Sequence, residues 1–184
     1  MNFERFHESL KILHLNTRAP KAYFIPFSSK QKNGERENSD CFYSLNGEYF
    51  FRYFKNFRAA RCYLDETEYF SDVSEKLVID INEKPLLLDG FDKINVPSNL
   101  QLSGYDIPQY TNIRYPFPFD PPYIPKENPC GLYIKKFDVS KEMLLKQNLL
   151  NFEGVDSAFY VWINGGFAGY STVSHSTRDR KSVV

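Results

Sequence analysis

The amino-acid sequence predicts an all-β fold, an antiparallel β-sandwich, on three grounds. The chain has 184 residues, about the length of one domain. Phe, Tyr and Trp together make up 17% of it, and aromatic residues favour strands over helices. Short runs of strand-forming residues alternate with turn signals, and no long helical pattern stands between them, which is typical of a sandwich.

The first residues form a segment of a different kind. Phe6, Leu10 and Leu13 fall at roughly helical spacing, but the segment is short and Pro20 closes it. We therefore expect residues 1–16 to be an arm that becomes ordered only where it docks. The polar stretch 28–40 is predicted to be an exposed loop.

Strands are predicted where β-branched and aromatic residues cluster between turn signals. These runs are 48–54, 76–81, 93–96, 131–139, 149–152, 158–163 and 167–170. Asn164 and Gly165 separate the last two, and this pair is a strong hairpin signal because a type I′ turn needs positive φ at both central residues. Trp162 lies in that hairpin and is expected in the core. One helical turn is predicted within 140–146.

Between residues 97 and 129 the chain carries eight of its 11 prolines. Proline excludes a regular helix there and disfavours central strands. Tyrosine and phenylalanine residues are interleaved with the prolines, at positions 105, 110, 115, 117, 119 and 123. The alternative is a linker between domains, but linkers carry few aromatic residues. We expect a packed loop whose shape proline fixes, and long ordered loops usually carry function.

Charge and cysteine content exclude several classes of protein. The 23 basic and 23 acidic residues balance, so no basic surface for nucleic acid is expected. Cys41, Cys62 and Cys130 form no CxxC pair and are too few for a secreted disulfide scaffold. No apolar signal core begins the chain, and no apolar run approaches the ~20 residues of a membrane helix. We expect a cytoplasmic protein with neither nucleic acid nor membrane as partner.

Spacing alone reveals no catalytic constellation. His7, His14 and His175 are far apart, and none has a zinc-ligand spacing to a cysteine or another histidine. There is no GxSxG elbow and no glycine-rich phosphate loop. The sequence does not decide whether two carboxylates form a glycosidase pair, because Asp and Glu are spread along the whole chain. The aromatic loop itself suits a sugar, since rings stack on its apolar face while amides and carboxylates bind its hydroxyls.

A set of short runs carries a resemblance to a known family. They are 18–20 (RAP), 22–24 (AYF), 45–47 (LNG), 97–101 (PSNLQ), 104–106 (GYD), 110–116 (YTNIRYP), 121–125 (PPYIP), 127–131 (ENPCG), 152–159 (FEGVDSAF), 162–165 (WING) and 169–171 (GYS). Together they resemble bacterial β-galactosidases of glycoside hydrolase family two, over about residues 17–177.

The resemblance implies a jelly-roll β-sandwich that binds sugar at the amino terminus of a larger enzyme. In that family the acid/base and nucleophile glutamates of a retaining mechanism lie in a later (β/α)₈ barrel, which needs ~250 residues and is absent from this chain. The asparagine of the Tyr-Thr-Asn run contacts the galactosyl group there, which implies that Asn112 binds substrate beside the Ile113 backbone. Without the resemblance, Asn112 reads as a turn-forming residue. No catalytic residue, metal ligand or cofactor is expected in this chain; sodium and magnesium are implied for the complete enzyme.

The likeness stops at Thr177. Where the family continues with Ser/Ala-Glu-Phe-Asp, this chain has residues 178–184 (RDRKSVV), which show no strand pattern. The codons GAT-CGG-AAG-AGC-GTC-GTG can encode residues 179–184, and they spell a common sequencing-adapter read. We therefore expect three parts: the arm 1–16, a sugar-binding sandwich 17–177 whose C-terminal edge is missing, and a non-native tail 178–184.

Two functions from different classes follow. The favoured one is the sugar-binding portion of an enzyme that hydrolyses terminal non-reducing β-D-galactose residues, with substrate contacts through the 110–116 loop and no turnover by this chain alone. Its partners are the β-galactoside substrate, the missing barrel of the same polypeptide, and further copies in a full-length homo-oligomer. The alternative is a stand-alone carbohydrate-binding module without catalytic activity.

Overall fold

The structure, a computed structural model, describes residues 5–18, 24–30, 34–67, 88–108, 118, 120–121, 123–172 and 178–181, the last group by its backbone. This part of the chain contains antiparallel strands in three sheets, together with two helices. The predicted all-β class is confirmed. In chain order the elements are β1 (His14–Leu15), β2 (Gly47–Phe54), α1 (Phe57–Thr67), β3 (Asp92–Val96), β4 (Cys130–Ile134), α2 (Lys141–Leu144), β5 (Leu149–Phe152), β6 (Phe159–Ile163), β7 (Gly166–Ser171) and β8 (Arg178–Lys181).

The first sheet has β2 at its centre, between β3 and β4. Both neighbours run antiparallel to β2, with Gly47 opposite Val96 at one end and Phe54 opposite Cys130 at the other. The strands predicted at 48–54 and 93–96 are confirmed. The strand predicted over 131–139 ends at Ile134, five residues early, and the one predicted at 76–81 lies outside the described residues.

The second sheet joins the arm to the hairpin, in the order β1-β7-β6. The predicted turn is confirmed, because Asn164 and Gly165 have φ of 50° and 77°. Phe6 is 3% exposed, and its ring lies 5.5 Å from that of Tyr170, which is fully buried. The Trp162 ring lies 5.9 Å from that of Phe167 and is half-buried, so Trp162 lies at the edge of this core and not fully within it.

The third sheet pairs β5 with β8, Leu149 opposite Lys181 and Phe152 opposite Arg178. The expectation that the tail has no strand is therefore wrong. The reason is that the ladder between antiparallel strands uses backbone N–H and C=O groups, which every residue except proline supplies, so a charged run can pair with an existing strand.

The helix α1 is another element that the sequence prediction missed. Asn56 is its N-cap, since its side-chain oxygen accepts from the Ala59 N–H at 2.9 Å. Ala60 and Leu64 are buried, at the spacing of one helix face. The helix packs beside β2 through Tyr63, whose ring lies 5.5 Å from that of Phe54.

The arm is ordered by its contacts with the hairpin. A 3₁₀ turn spans Phe6–Glu8, and β1 follows, paired with β7. The helical turn predicted within 140–146 is confirmed as α2, and the Ser140 side chain caps it by accepting from the Met143 N–H. Neither helix in the described ranges has the length and apolar composition that crossing a membrane requires.

Candidate functional site

One face of the first sheet is lined by aromatic side chains. Successive side chains of a strand point to opposite faces, so Tyr49, Phe51 and Tyr53 of β2 share a side. Tyr133 of β4 stands opposite Phe51 and joins them, with its ring 4.8 Å from that of Phe51. We call these four residues, with Tyr105 from the loop described next, the tyrosine face.

The loop between β3 and β4, residues 97–129, has to run the length of this sheet. It leaves β3 at Val96, opposite Gly47, and returns at Cys130, opposite Phe54. Those two residues of β2 are seven positions apart, which is roughly 23 Å of strand. We call this segment the crossing loop. It carries the predicted 110–116 segment between its two ends.

Tyr105 fixes the first part of the crossing loop to the tyrosine face. Its ring lies 4.6 Å from Phe51 in an edge-on arrangement and 6.1 Å from Tyr53 in a stacked one. These are the preferred geometries of aromatic pairs. Phe51 is completely buried beneath these contacts.

A hydrogen bond ties the same tyrosine to the sheet. The Tyr105 hydroxyl donates to a carboxylate oxygen of Asp92 at 2.9 Å. Asp92 stands opposite Phe51 in β3, so its side chain emerges on the tyrosine face. Desolvation, followed by this bond and the Asp92 charge, raises the pKa of Tyr105, and the hydroxyl therefore keeps its proton at neutral pH.

The segment before Tyr105 is a compact turn held by its own hydrogen bonds. The Asn99 side-chain oxygen accepts from the Leu102 N–H at 2.8 Å, and its carbonyl accepts from the Ser103 hydroxyl at 2.9 Å. The Tyr105 N–H donates to the Leu100 carbonyl at 3.0 Å. Such local bonds give the backbone a fixed path without a helix or a strand.

Asp106 holds the next part of the crossing loop. Its carboxylate accepts from the Ile107 N–H at 2.8 Å and from the Gln101 side-chain amide at 3.4 Å. Burial, and then the charge of Asp106, raises the pKa of Tyr53. Asp92 and Asp106 thus both serve to hold the first part of the loop.

At the other end of the tyrosine face, a lysine side chain lies over the Tyr49 ring. The Lys135 ammonium lies 4.9 Å from the centre of the Tyr49 ring and donates to the carbonyls of Asn46 and Glu48 at 3.1 and 3.3 Å. Burial raises the pKa of Tyr49 and of Tyr133. One surface therefore presents aromatic rings and protonated tyrosine hydroxyls, with a lysine ammonium over one ring. Such a surface suits a polyol with an apolar face.

The two predicted substrate-binding residues, Asn112 and Ile113, lie outside the described residues. Their roles stay predictions. The structure does place the residues just before them: Tyr105 is packed on the tyrosine face, and Asp106 is bonded to Gln101 and Ile107 within the loop. Asp92 was missed by the sequence prediction. A usable signal was its position two residues before the buried Ile94, which places both on one face of β3.

Other reactive groups do not gather in the described part of the chain. Cys41 and Cys62 are exposed, and Cys130 is half-buried. Burial raises the pKa of the Cys130 thiol to about 11, which makes it a poor nucleophile. Within the described ranges, no three His, Cys, Asp or Glu side chains form a group that could hold a metal ion.

Comparison with known proteins gives consistent matches. The family model described as the sugar binding domain of glycosyl hydrolases family 2 matches residues 42–180. A β-galactosidase from Staphylococcus xylosus is 40% identical over 176 residues, which cover 94% of this chain. One from Actinobacillus pleuropneumoniae is 39% identical over 181 residues, or 97% of the chain. Over 81 residues, 44% of the chain, one from Vibrio vulnificus reaches 52% identity.

The first two matches cover only 16% of each of those relatives, and the Vibrio vulnificus match covers 8% of that protein. The family model, in contrast, extends from the start of the first sheet to β8 and so includes the tyrosine face and the whole crossing loop. Since it matches well over half of the sequence, this chain belongs to the family of sugar-binding domains of glycosyl hydrolases family 2.

Proposed function

We propose that this chain is the amino-terminal sugar-binding portion of a β-galactosidase, an enzyme that hydrolyses terminal non-reducing β-D-galactose residues with retention. Relatives of that name match nearly the whole chain, and this supports the substrate class. The chain's own part in the reaction is to bind and orient the galactosyl group.

The observation that carries the proposal is the anchored base of the crossing loop. A loop that presents polar groups to a sugar must hold them still, because each group immobilised on binding costs free energy. Tyr105 is packed on Phe51 and tied to Asp92, and the turn 99–105 is bonded internally. Tyr105 lies five residues before the 110–116 segment, so the chain that leads to this segment is anchored at Tyr105.

Asn112 is the residue we propose for the galactosyl contact, with the Ile113 backbone beside it. A side-chain amide offers both a donor and an acceptor, which matches two adjacent sugar hydroxyls. The catalytic carboxylates belong to a barrel that a chain of 184 residues is too short to contain in addition to this domain. We therefore propose that this chain alone has no turnover.

The remaining features are proposals about the complete enzyme. Sodium and magnesium would act there, in the site of the complete enzyme. Homo-oligomerisation and a cytoplasmic location are proposed on the same family basis. The β-galactoside and the barrel of the same polypeptide are the partners that the tyrosine face and the crossing loop serve.

The test is a titration of the isotopically labelled chain with a non-hydrolysable thio-β-galactoside, followed by amide NMR. We expect shifts concentrated in the crossing loop, weaker shifts with the matching thio-β-glucoside, and loss of the galactoside shifts in Asn112→Ala. Tyr123→Ala is the matched control, since that ring is 73% exposed in the same loop. A folded chain without loop shifts at tens of millimolar ligand would refute the proposal.

A parallel assay addresses turnover. The chain is incubated with a chromogenic β-galactoside, and release above the buffer rate would contradict the proposed absence of catalysis. Galactoside binding without turnover also characterises a stand-alone carbohydrate-binding module, the alternative function. The sequence of the source gene beyond Thr177 separates these two: a reading frame that continues into a barrel supports the enzyme, and an authentic stop supports the module.

A further inference from the structure

One histidine of the arm contacts two other elements of the protein. His7 lies in the 3₁₀ turn, and its ring centre is 4.1 Å from that of Phe57, the first residue of α1. Its Nδ1 lies 2.8 Å from the Tyr160 hydroxyl of β6. One side chain therefore contacts both the helix and the hairpin sheet.

The second ring nitrogen has no partner. His7 Nε2 is buried and makes no hydrogen bond to any described residue. The Tyr160 hydroxyl, 2.8 Å from Nδ1, can donate its proton to that nitrogen. This arrangement fits a neutral imidazole with its proton on Nε2.

We propose that His7 is an acid-sensitive clasp, that is, a contact that holds the arm only while its ring is neutral. Protonation of the ring releases the described part of the arm, residues 5–16, from β6, β7 and α1. Protonation would place a desolvated charge against the Phe57 ring. It would also put a proton on Nδ1 and so end the hydrogen bond that Nδ1 accepts from the Tyr160 hydroxyl. Desolvation of an unpaired charge is costly, and a docked segment avoids that cost by detaching into water.

The electrostatic surroundings of His7 support the neutral form. Burial is the largest influence and lowers its pKa; Glu8 acts in the raising direction and Arg5 in the lowering one. These two charges lie on the same turn and are paired with each other. Among the described residues, the groups that face His7 from other elements are the Tyr160 hydroxyl of β6 and the uncharged Phe57 ring of α1.

The direction of the pH effect follows from this lowered pKa. The undocked arm titrates near the ordinary histidine value of about 6.5, while the docked arm binds its proton only at lower pH. Docking is therefore at full strength above about pH 6.5 and weakens as the pH falls toward the docked-state pKa. One proton per arm limits the change to about ten-fold per pH unit.

The arm has a reporter in the Thr172 N–H, which donates to the Leu13 carbonyl at 3.1 Å. Its hydrogen exchange, corrected for the intrinsic rate, is measured by NMR from pH 8 to pH 5. We expect constant protection above about pH 6.5 and a progressive fall below it. His7→Gln, which keeps an amide in the site and does not titrate in this range, should flatten the profile.

His14→Gln is the matched control. His14 is the other described histidine of the arm, and its Nδ1 faces the Ser171 hydroxyl at 3.1 Å. We expect this variant to keep the fall of Thr172 protection below about pH 6.5. An equal fall in His7→Gln, or a flat profile in the unsubstituted chain, would overturn the proposal.

If His7→Gln fails to dock at pH 8, the His7 ring resonances of the unsubstituted chain decide the matter instead. A midpoint below 6.5 that coincides with the loss of Thr172 protection supports the clasp. A midpoint at or above 6.5, or titration with no change at Thr172, contradicts it.

Discussion

Gly131 in β4 is the position where the tyrosine face is most sensitive to a single added atom. A Cβ at Gly131 would lie 2.6 Å from Cε2 of Phe51 and 2.9 Å from Cε2 of Tyr133. Tyr133 is 40% exposed and can turn aside, but Phe51 is completely buried and cannot. Gly131→Ala is therefore expected to force a shift of the central strand.

The magnitude follows from two opposing effects. Over-packing a filled core costs about 1–3 kcal/mol. Replacing glycine by alanine restricts the unfolded chain and returns about 0.4–1 kcal/mol. We expect a net loss of about 1–2 kcal/mol in the free energy of unfolding, which for a chain of this length lowers Tm by about 2–8 °C.

The assay is urea unfolding, in which the midpoint should fall while the slope with denaturant stays constant. Gly154→Ala is the matched control, because nothing lies within 4 Å of its Cβ position; it should be neutral or slightly stabilising. Phe51→Leu removes the ring edge that meets the new atom, so Gly131→Ala should cost less in that background. An equal penalty in both backgrounds, or none in either, would refute the steric reasoning.

Two further predictions concern the same region. Tyr105→Phe removes the hydroxyl that donates to Asp92. Because this hydrogen bond is exposed, its loss should lower the free energy of unfolding by only about 0.5–1 kcal/mol. Urea unfolding measures the change, and an unchanged midpoint would show that the hydrogen bond contributes nothing. Cys130 should react with a thiol reagent at pH 8 far more slowly than Cys41 and Cys62, because burial raises its pKa to about 11. Mass spectrometry measures the three rates, and equal rates would contradict the prediction.

The hairpin shows where local sequence is sufficient. Asn164 and Gly165 can adopt positive φ at low cost, and the β-forming residues on either side need only pair with each other. The strands at 48–54 and 93–96 were predictable for a similar reason, since strand-forming residues cluster there next to turn signals.

The helix α1 shows where local sequence misleads. Phe57, Cys62 and Tyr63 favour strands by composition, but the Asn56 cap and the buried Ala60 and Leu64 favour a helix. Packing of these residues beside β2 selects the helix over the strand, and no short stretch of sequence contains that contact. β8 is similar, since its pairing depends on the edge that β5 offers.

The candidate site was predictable in part. The crowding of proline and tyrosine between 97 and 129 indicated a shaped loop, and the resemblance selected Asn112 and Ile113, whose roles stay predictions. The anchor of that loop was not predictable, because Asp92 and Tyr105 are 13 residues apart and meet only when the sheet is assembled.

By itself, then, the sequence determined the all-β class, the hairpin turn, the aromatic loop and the family. Those properties depend on backbone preferences and on residue types within short windows. The tertiary structure alone decided that Tyr105 lies on Phe51, that Asp92 accepts a hydrogen bond from the Tyr105 hydroxyl, and that His7 joins the arm to Tyr160 and α1. These contacts bring together residues distant in the chain, and burial and directional hydrogen bonds select them only after the strands have paired.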